Sequence, residues 1–560
     1  MVLLTRLARY FLAIFMTTGL VAQSSQAPRN PLERKAGRSV VRTKNGMVAT
    51  SQPLATQVGV QILERGGNAI DAAIAVAAML NVTEPMMTGV GGDMWAIVYS
   101  AKDGKLHGLN ASGRAPKALT PEYFAKKGLK TVPVRGMEPI TVPGAVDGWY
   151  TLLGQFGTMK MPDLLQPAIR YADEGYPVME KASEDWEEVV DVLKRDPAAS
   201  ATYLVNGEAP KPGDIFKNPH LANTLRQLAS GGRDAYYKGP IGQAIVDYCQ
   251  KHGGFLTMED FAGQHSEWIA PISTNYRGYD VYEMPPNGQG LTVLLALNIL
   301  EGFDLASMKQ KPDVYYHTLI ETMKLAFADR NRYIADPKFA KVPVSQLLSK
   351  DYAAKRRALI KPDSVLTNPL PGDIEMNSET TYFTIIDKDH NAVSFINSLY
   401  EHFGSGIVAG DTGIVLHDRG AGFSLDPKSP NLIAPGKRPF HTLIPAMVMK
   451  DGKPFMSFGV MGGDMQPQGH VEVLTNMIDL GMDIQHAIET PRFRYLNGNR
   501  VYLEPEMGKD VIDKLTARGH QAMTPRRNQM GGGQAILIDP KTGALLGGSD
   551  IRKDGMAAGY

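Results

Sequence analysis

The sequence predicts an α/β protein. Helical spacing dominates the first part of the chain, strand-and-turn patterns dominate beyond Thr380, and no internal repeat or low-complexity tract intervenes. Leu54 to Arg65 places Val58 and Ile62 on one helical face, and Gly66 is a natural stop. Asn68 suits the cap of an Ala-rich helix running to about Leu80. Trp95 to Ser100 reads as a strand, and helices dominate from Tyr150 to Lys361, interrupted by Pro/Gly loops. Lys361 to Ser378 holds three prolines and one glycine and reads as a linker. Beyond it lie hairpins, with turns at Asp451-Gly452 and near Lys541-Thr542-Gly543.

Composition narrows the function classes. At 560 residues the chain can bury a large core. Charged residues make up 21% and the formal net charge is +1, so neither nucleic acid nor an anionic surface is an expected partner. Lys355-Arg356-Arg357 reads as a solvated helix face. The single cysteine, Cys249, excludes an internal disulfide framework and reads as a small buried apolar residue.

Arg6 and Arg9 precede an apolar run from Tyr10 to Met16 that continues to Val21-Ala22, after which Gln23 to Asn30 turns polar. This is a signal-peptide pattern over residues 1–22, with cleavage after Ala22. Thr17, Thr18 and Gly19 interrupt the run, which is too short for a membrane span. The expected location is periplasmic or secreted, without stable membrane insertion.

Glu379-Thr380-Thr381 opens an apolar strand directly after the linker. By itself a Thr-Thr pair is ordinary strand composition. A threonine hydroxyl is a weak nucleophile without a base beside it. If the chain is cut before Thr380, the freed α-amine becomes that base, with a reference pKa of roughly 7.7–8.0. Thr380 to Asp387 and Asn391 to Leu399 form a hairpin about Lys388-Asp389-His390, its turn signalled by Asp387, Asp389 and Asn391. Centred on Asp389, the hairpin opposes Thr380 to Ser398, and directly opposed residues hold their Cβ atoms about 4.5–5.5 Å apart. A slip of one residue destroys this pairing. Further on, Phe455 to Met461 reads as a strand entering Gly462-Gly463 and then a helix with Val471, Leu474 and Ile478 on one face. Backbone amides at such a turn can converge on developing negative charge.

With these residues in view, the chain resembles the γ-glutamyltransferase family of N-terminal nucleophile hydrolases, including its acylase-like branches. The resemblance runs from about Ser39 to the C-terminus. It rests on ordered blocks: Gly66 to Ala73, Gly89 to Gly92, Val142 to Trp149, Phe403 to Val408, Lys437 to Pro439 and Ala487 to Phe493. It implies self-cleavage between Glu379 and Thr380 of a mature precursor. A large subunit (23–379) and a small subunit (380–560) headed by the nucleophile would result. The implied fold is a four-layer αββα sandwich whose one core both subunits share. Ser398 would support the nucleophile, and Gly462 and Gly463 would form the oxyanion hole. The implied activity is that of a self-processing amidohydrolase and acyltransferase, cleaving γ-glutamyl (glutathione-like) or related acyl amides through a Thr380 acyl-enzyme, mostly to water.

The pocket departs from the γ-glutamyl pattern. The family's carboxylate-binding Arg falls on Ser112, with Arg114 two residues away as a substitute. The Asn that contacts the γ-glutamyl group falls on Tyr400, the acidic residue for the substrate amine on Gly422, and the Ser-Ser pair on His441-Thr442. Pro427 to Pro439 is shorter than the lid-bearing version of this loop. The alternatives are therefore a non-glutamyl acylase, resembling cephalosporin acylases or oxamate amidohydrolase, and a non-catalytic secreted binding protein on the same scaffold.

Other chemistries fit poorly. There is no His-Glu-x-x-His and no paired Cys/His spacing, so no metal and no cofactor is expected. Gly89-Val90-Gly91-Gly92 precedes a strand and fails as a dinucleotide fingerprint. A Gly-x-Ser-x-Gly elbow is lacking where a serine hydrolase needs one.

Overall fold

The computed structural model describes residues 30–367, 379–526 and 528–560. The expected signal peptide and most of the linker before Thr380 lie outside the described residues.

Two seven-stranded sheets form the centre. The first runs, edge to edge, through Met556–Gly559, Met47–Thr50, Glu379–Ile386, Ala392–Tyr400, Asp93–Ser100, Lys105–Ala111 and Glu267–Ile269. The second runs through Val41–Thr43, Leu545–Ser549, Gly532–Ile538, Lys453–Met461, Ala446–Lys450, Tyr279–Glu283 and Ile272–Tyr276. Neighbouring strands are antiparallel throughout both sheets.

Side-chain alternation explains the layering. Tyr382, Ile386 and Ile396 of the first sheet meet Met447, Met461 and Ile536 of the second. Their neighbours Phe383, Ile385, Val393 and Phe395 point the other way, into a layer that includes Pro53–Glu64, Ala69–Thr83 and Ala145–Phe156. On the far side, Val448, Phe458 and Val460 pack against Gly290–Leu300, Pro312–Tyr333 and Met465–Ile478. The result is the αββα order. Both faces of each central strand are buried, which is why these strands read as apolar runs rather than strict alternations. Each sheet takes strands from both sides of Thr380.

Local signals act as their chemistry dictates. Asn68 and Asp71 form a capping box at the start of Ala69–Thr83. Asp451 and Gly452 both take positive φ, 51° and 73°, the geometry of a tight two-residue hairpin turn.

The helix-rich region also contributes strands, Glu267–Ile269, Ile272–Tyr276 and Tyr279–Glu283, which help edge both sheets. One expectation needs correction. Arg356 is not a solvated charge: its Nε lies 3.1 Å from Asp329 Oδ2 and its Nη2 donates to the Leu325 carbonyl. Among the described residues no helix is long and apolar enough to cross a membrane.

Candidate active site

The hairpin places the two hydroxyls. Its ladder pairs Thr381 with Asn397 through to Ile386 with Ala392, a register that, continued one step, sets Thr380 opposite Ser398. At this end the ladder shifts, so Glu379 pairs with Tyr400. Thr380 and Ser398 share the strand faces of Tyr382 and Ile396, which look into the space between the sheets. Thr380 Oγ1 and Ser398 Oγ are 3.2 Å apart, and both residues are fully buried.

A second element reaches the same hydroxyl. Lys453–Met461 ends at Gly462 and Gly463, with φ of 111° and 56°, and the helix Met465–Ile478 begins. These angles suit glycine and leave no side chain over the peptide groups. Gln466, in the first turn of the helix, points its Nε2 at Thr380 Oγ1 from 3.5 Å while its Oε1 accepts from Ile444 N–H. Gln289 Nε2 donates to the carbonyls of Gly463 and Thr442, both at 3.0 Å. Arg330 Nη1 in turn donates to Gln289 Oε1 and to Asp464 Oδ1, at 2.9 and 2.6 Å. The turn is thus clamped from its carbonyl side. Among the described residues no hydrogen bond uses the N–H of Gly462 or Gly463.

Behind Ser398 lies a buried cation. Ser398 Oγ accepts from Tyr400 N–H at 2.8 Å and from Arg419 Nη2 at 3.1 Å. Arg419 Nη1 donates to Thr442 Oγ1 at 2.8 Å, and the guanidinium sits 4.2 Å from the centre of the Tyr400 ring. Tyr400 takes φ of +85°, an unusual angle for a bulky residue. Next to this group, Asp93 accepts from Gly113 N–H, Gly144 N–H and His441 Nε2–H. Leu443 N–H donates to His441 Nδ1, which fixes that tautomer. Burial, helped by Arg419, lowers the His441 pKa to about 3, so the ring is neutral. For Asp93 burial acts upward, but His417, His441 and Arg419 outweigh it and hold the carboxyl below its ordinary range. Burial lowers the pKa of His417 as well, with Arg419 adding to the effect. On the other side, Glu84 Oε2 accepts from Ser51 Oγ at 2.6 Å and Thr381 Oγ1 at 2.9 Å, and burial pushes its pKa up to about 7.

The family model described as Gamma-glutamyltranspeptidase matches residues 55–560. The chain belongs to the γ-glutamyltranspeptidase family. Among curated members it is 41% identical over 532 residues to the glutathione hydrolase-like YwrD proenzyme of Bacillus subtilis (strain 168), covering 93% of this chain and 99% of that protein. It is 36% identical to the oxamate amidohydrolase proenzyme of Klebsiella pneumoniae, covering 92% and 98%. Of the solved structures, cephalosporin acylase from Bacillus halodurans superposes with a TM-score of 0.89 at 44% identity, covering 96% of this chain and 99% of that one. This γ-glutamyltranspeptidase-family chain is an enzyme of the N-terminal nucleophile hydrolase fold, and the non-catalytic reading falls.

Against the γ-glutamyl pattern, the remaining predicted positions are placed as follows. Ser112 Oγ donates to Asn110 Oδ1 at 2.6 Å. Arg114 is paired with Glu267 at 2.8 Å, and Glu267 also meets Arg438 and Lys338. Gly422 ends the turn Arg419–Gly422, and a Cβ there would lie 2.8 Å from the Phe440 carbonyl. His441 and Thr442 are fully buried behind Asp93 and Arg419. Sequence reasoning missed Arg419, Asp93, Gln466, Gln289 and Glu84. Arg419 opens the very segment in which the family pattern is broken, and that was its available signal.

Elsewhere His317, Glu321 and His520 converge, a grouping invisible to motif spacing. His317 Nδ1 and His520 Nε2 are 2.8 Å apart, and Lys324 Nζ lies 2.7 Å from Glu321. That ammonium supplies the cluster's counter-charge. Cys249 is buried, and burial pushes its thiol up to about 12.

Proposed function

We propose that this protein is made as an exported precursor that cuts itself between Glu379 and Thr380. The mature enzyme then hydrolyses acyl amides with Thr380 as N-terminal nucleophile. The observation that carries this reading is the Thr380–Ser398 hydroxyl pair, set beside the Gly462-Gly463 turn. After the cut, the Thr380 α-amine takes the Oγ1 proton as Oγ1 attacks the amide carbonyl. Ser398 orients the attacking oxygen, and the N–H groups of Gly462 and Gly463 receive the negative charge that develops on the carbonyl oxygen. The α-ammonium returns the proton to the departing amine. Water, or occasionally an amine, then attacks the ester and frees Thr380.

The acyl group is either γ-glutamyl or a related acyl of the acylase and oxamate amidohydrolase kind. The second reading draws support from the pocket: Gly422 brings no carboxylate for a substrate amine, and Arg114 is already paired with Glu267. In either case Tyr400, His441 and Thr442 bound the acyl pocket. The N-terminal pattern of residues 1–22 supports a periplasmic or secreted location.

Mass spectrometry of the purified protein tests the first part: two chains divided at Glu379-Thr380 are expected, and a single active chain contradicts it. A panel of γ-glutamyl-p-nitroanilide, glutathione, a glutaryl amide and oxamate tests the second. Release of amine from none of them by the two-chain form removes the hydrolase reading for these acyl classes.

A further inference from the structure

Three buried arginines in this protein carry carboxylates. Arg330 holds Asp464 at 2.6 Å, Arg438 holds Glu267 at 2.7 Å and Arg492 holds Asp550 at 2.8 Å. Arg419 differs from these three. It is wholly buried, yet among the described residues it has no ion pair, and two of its nitrogens donate to hydroxyls. Its Nε–H has no acceptor there either. A guanidinium offers five N–H donors in a flat fork that matches a carboxylate.

Nearby acids have other work. Asp93 takes Gly113 N–H, Gly144 N–H and His441, and Asp418 takes Glu401 N–H. Asp93, Asp418 and Glu401 act on Arg419 only through space. No carboxylate is hydrogen-bonded to it among the described residues, and a buried guanidinium with an open N–H beside the nucleophile suits an anion. The distance is short: Arg419 Nη2 is one hydrogen bond from Ser398 Oγ, which is one hydrogen bond from Thr380 Oγ1. The Tyr400 ring covers one face of the guanidinium and holds its plane. A substrate ammonium placed here meets a cation, and Gly422 offers it no counter-charge.

We propose that Arg419 binds a carboxylate on the acyl group itself, and that the substrates are short dicarboxylic acid monoamides lacking an α-amine. This rests on the Thr380 amidohydrolase reading and names its substrate class. The acyl carbonyl is attacked by Thr380, while the carboxylate at the other end of the acyl chain sits against the Arg419 fork.

The test is a matched series of p-nitroanilides on the two-chain enzyme: succinyl, glutaryl, γ-glutamyl and butyryl, the last a neutral acyl. The wild-type enzyme is expected to show kcat/KM for succinyl or glutaryl about tenfold or more above both butyryl and γ-glutamyl. In Arg419→Gln the anionic-over-neutral ratio is expected to collapse toward one, chiefly through a raised KM for the anionic substrates. Arg419→Lys should recover part of the ratio. If Arg419 serves only to position Ser398, Arg419→Gln lowers kcat for anionic and neutral acyls by the same factor and the ratio stands, which overturns the proposal. Should Arg419→Gln fail to fold, inhibition of the wild-type enzyme decides: glutarate must compete more strongly than butyrate, and equal inhibition overturns the proposal. Efficient turnover of butyryl or γ-glutamyl substrates alone also defeats it while leaving the Thr380 mechanism intact. A two-chain enzyme inert toward the whole series defeats both.

Discussion

Thr380 Oγ1 and Ser398 Oγ lie 3.2 Å apart across a hairpin whose strands pair symmetrically about Asp389. The turn holds this register. Asp387 Oδ1 accepts from the N–H groups of Asp389 and Asn391, and His390 takes φ of 63° to close the loop. Asp387 Oδ2 also accepts from Ala69 N–H, so the hairpin is tied to the helix layer as well. A slip of one residue would carry Ser398 to the helix face and leave Thr380 without its partner.

Maturation tests Thr380 as the proposed nucleophile. Thr380→Ala should remain a single chain of full mature length on a denaturing gel. The Oγ1 atom that attacks the Glu379 carbonyl is gone, while the small side chain still fits the buried site. Continued splitting at Glu379-Thr380 would assign the cut to an external protease.

Ser398→Ala should slow both self-cleavage and turnover. It also strands two buried donors, Tyr400 N–H and Arg419 Nη2, so a stability loss of about 1–3 kcal/mol is expected rather than the smaller cost of one exposed bond. Ser398→Thr, which keeps the hydroxyl, should retain most of the rate. Rates in Ser398→Ala equal to wild type would show that the Ser398 hydroxyl does not assist Thr380.

Glu84 gives a pH dependence with a definite sign. Burial raises its pKa from 4.5 to about 7 in the folded protein. The folded state therefore binds the proton more tightly than the unfolded chain, and stability falls as pH rises from about 4.5 through 7. Glu84→Gln keeps an acceptor for Ser51 and Thr381 and removes the titration. Its melting temperature should match wild type near pH 4 and exceed it at pH 8–9, where the wild-type penalty reaches about 3 kcal/mol. A gap that does not change with pH would show that Glu84 is not the titrating group.

Restoring an acidic residue at Gly422 should fail structurally before it informs specificity. The added Cβ would lie 2.8 Å from the Phe440 carbonyl, a backbone atom that cannot swing aside, and the turn Arg419–Gly422 also places Arg419. Gly422→Asp should lose about 1–3 kcal/mol, read as a lowered melting temperature. It should also lower turnover of every acyl amide through the displaced Arg419. An Asp variant as stable as wild type, with improved γ-glutamyl turnover, would show that the loop accommodates an amine-binding site.

The sequence by itself determined what short-range chemistry controls. Asn68 announces a helix start because a cap is settled within the first turn. The register from Thr380 to Ser398 follows because a tight turn leaves one symmetric pairing. Only the tertiary structure decided the rest of the site. Arg419, Asp93, Gln466, Gln289 and Glu84 come from separate elements that neither period nor spacing connects, and they meet because two sheets stack face to face. The strands Ile272–Tyr276 and Tyr279–Glu283 escaped detection for a related reason. Five residues carry too few alternations to stand out among helices, and Tyr279–Glu283 is fixed by Ala446–Lys450, far along the chain. Arg419 shows the difference most clearly. In the sequence it is one arginine in a glycine-rich turn; folding removes it from water beside Ser398 and Thr380, and that burial makes its charge consequential.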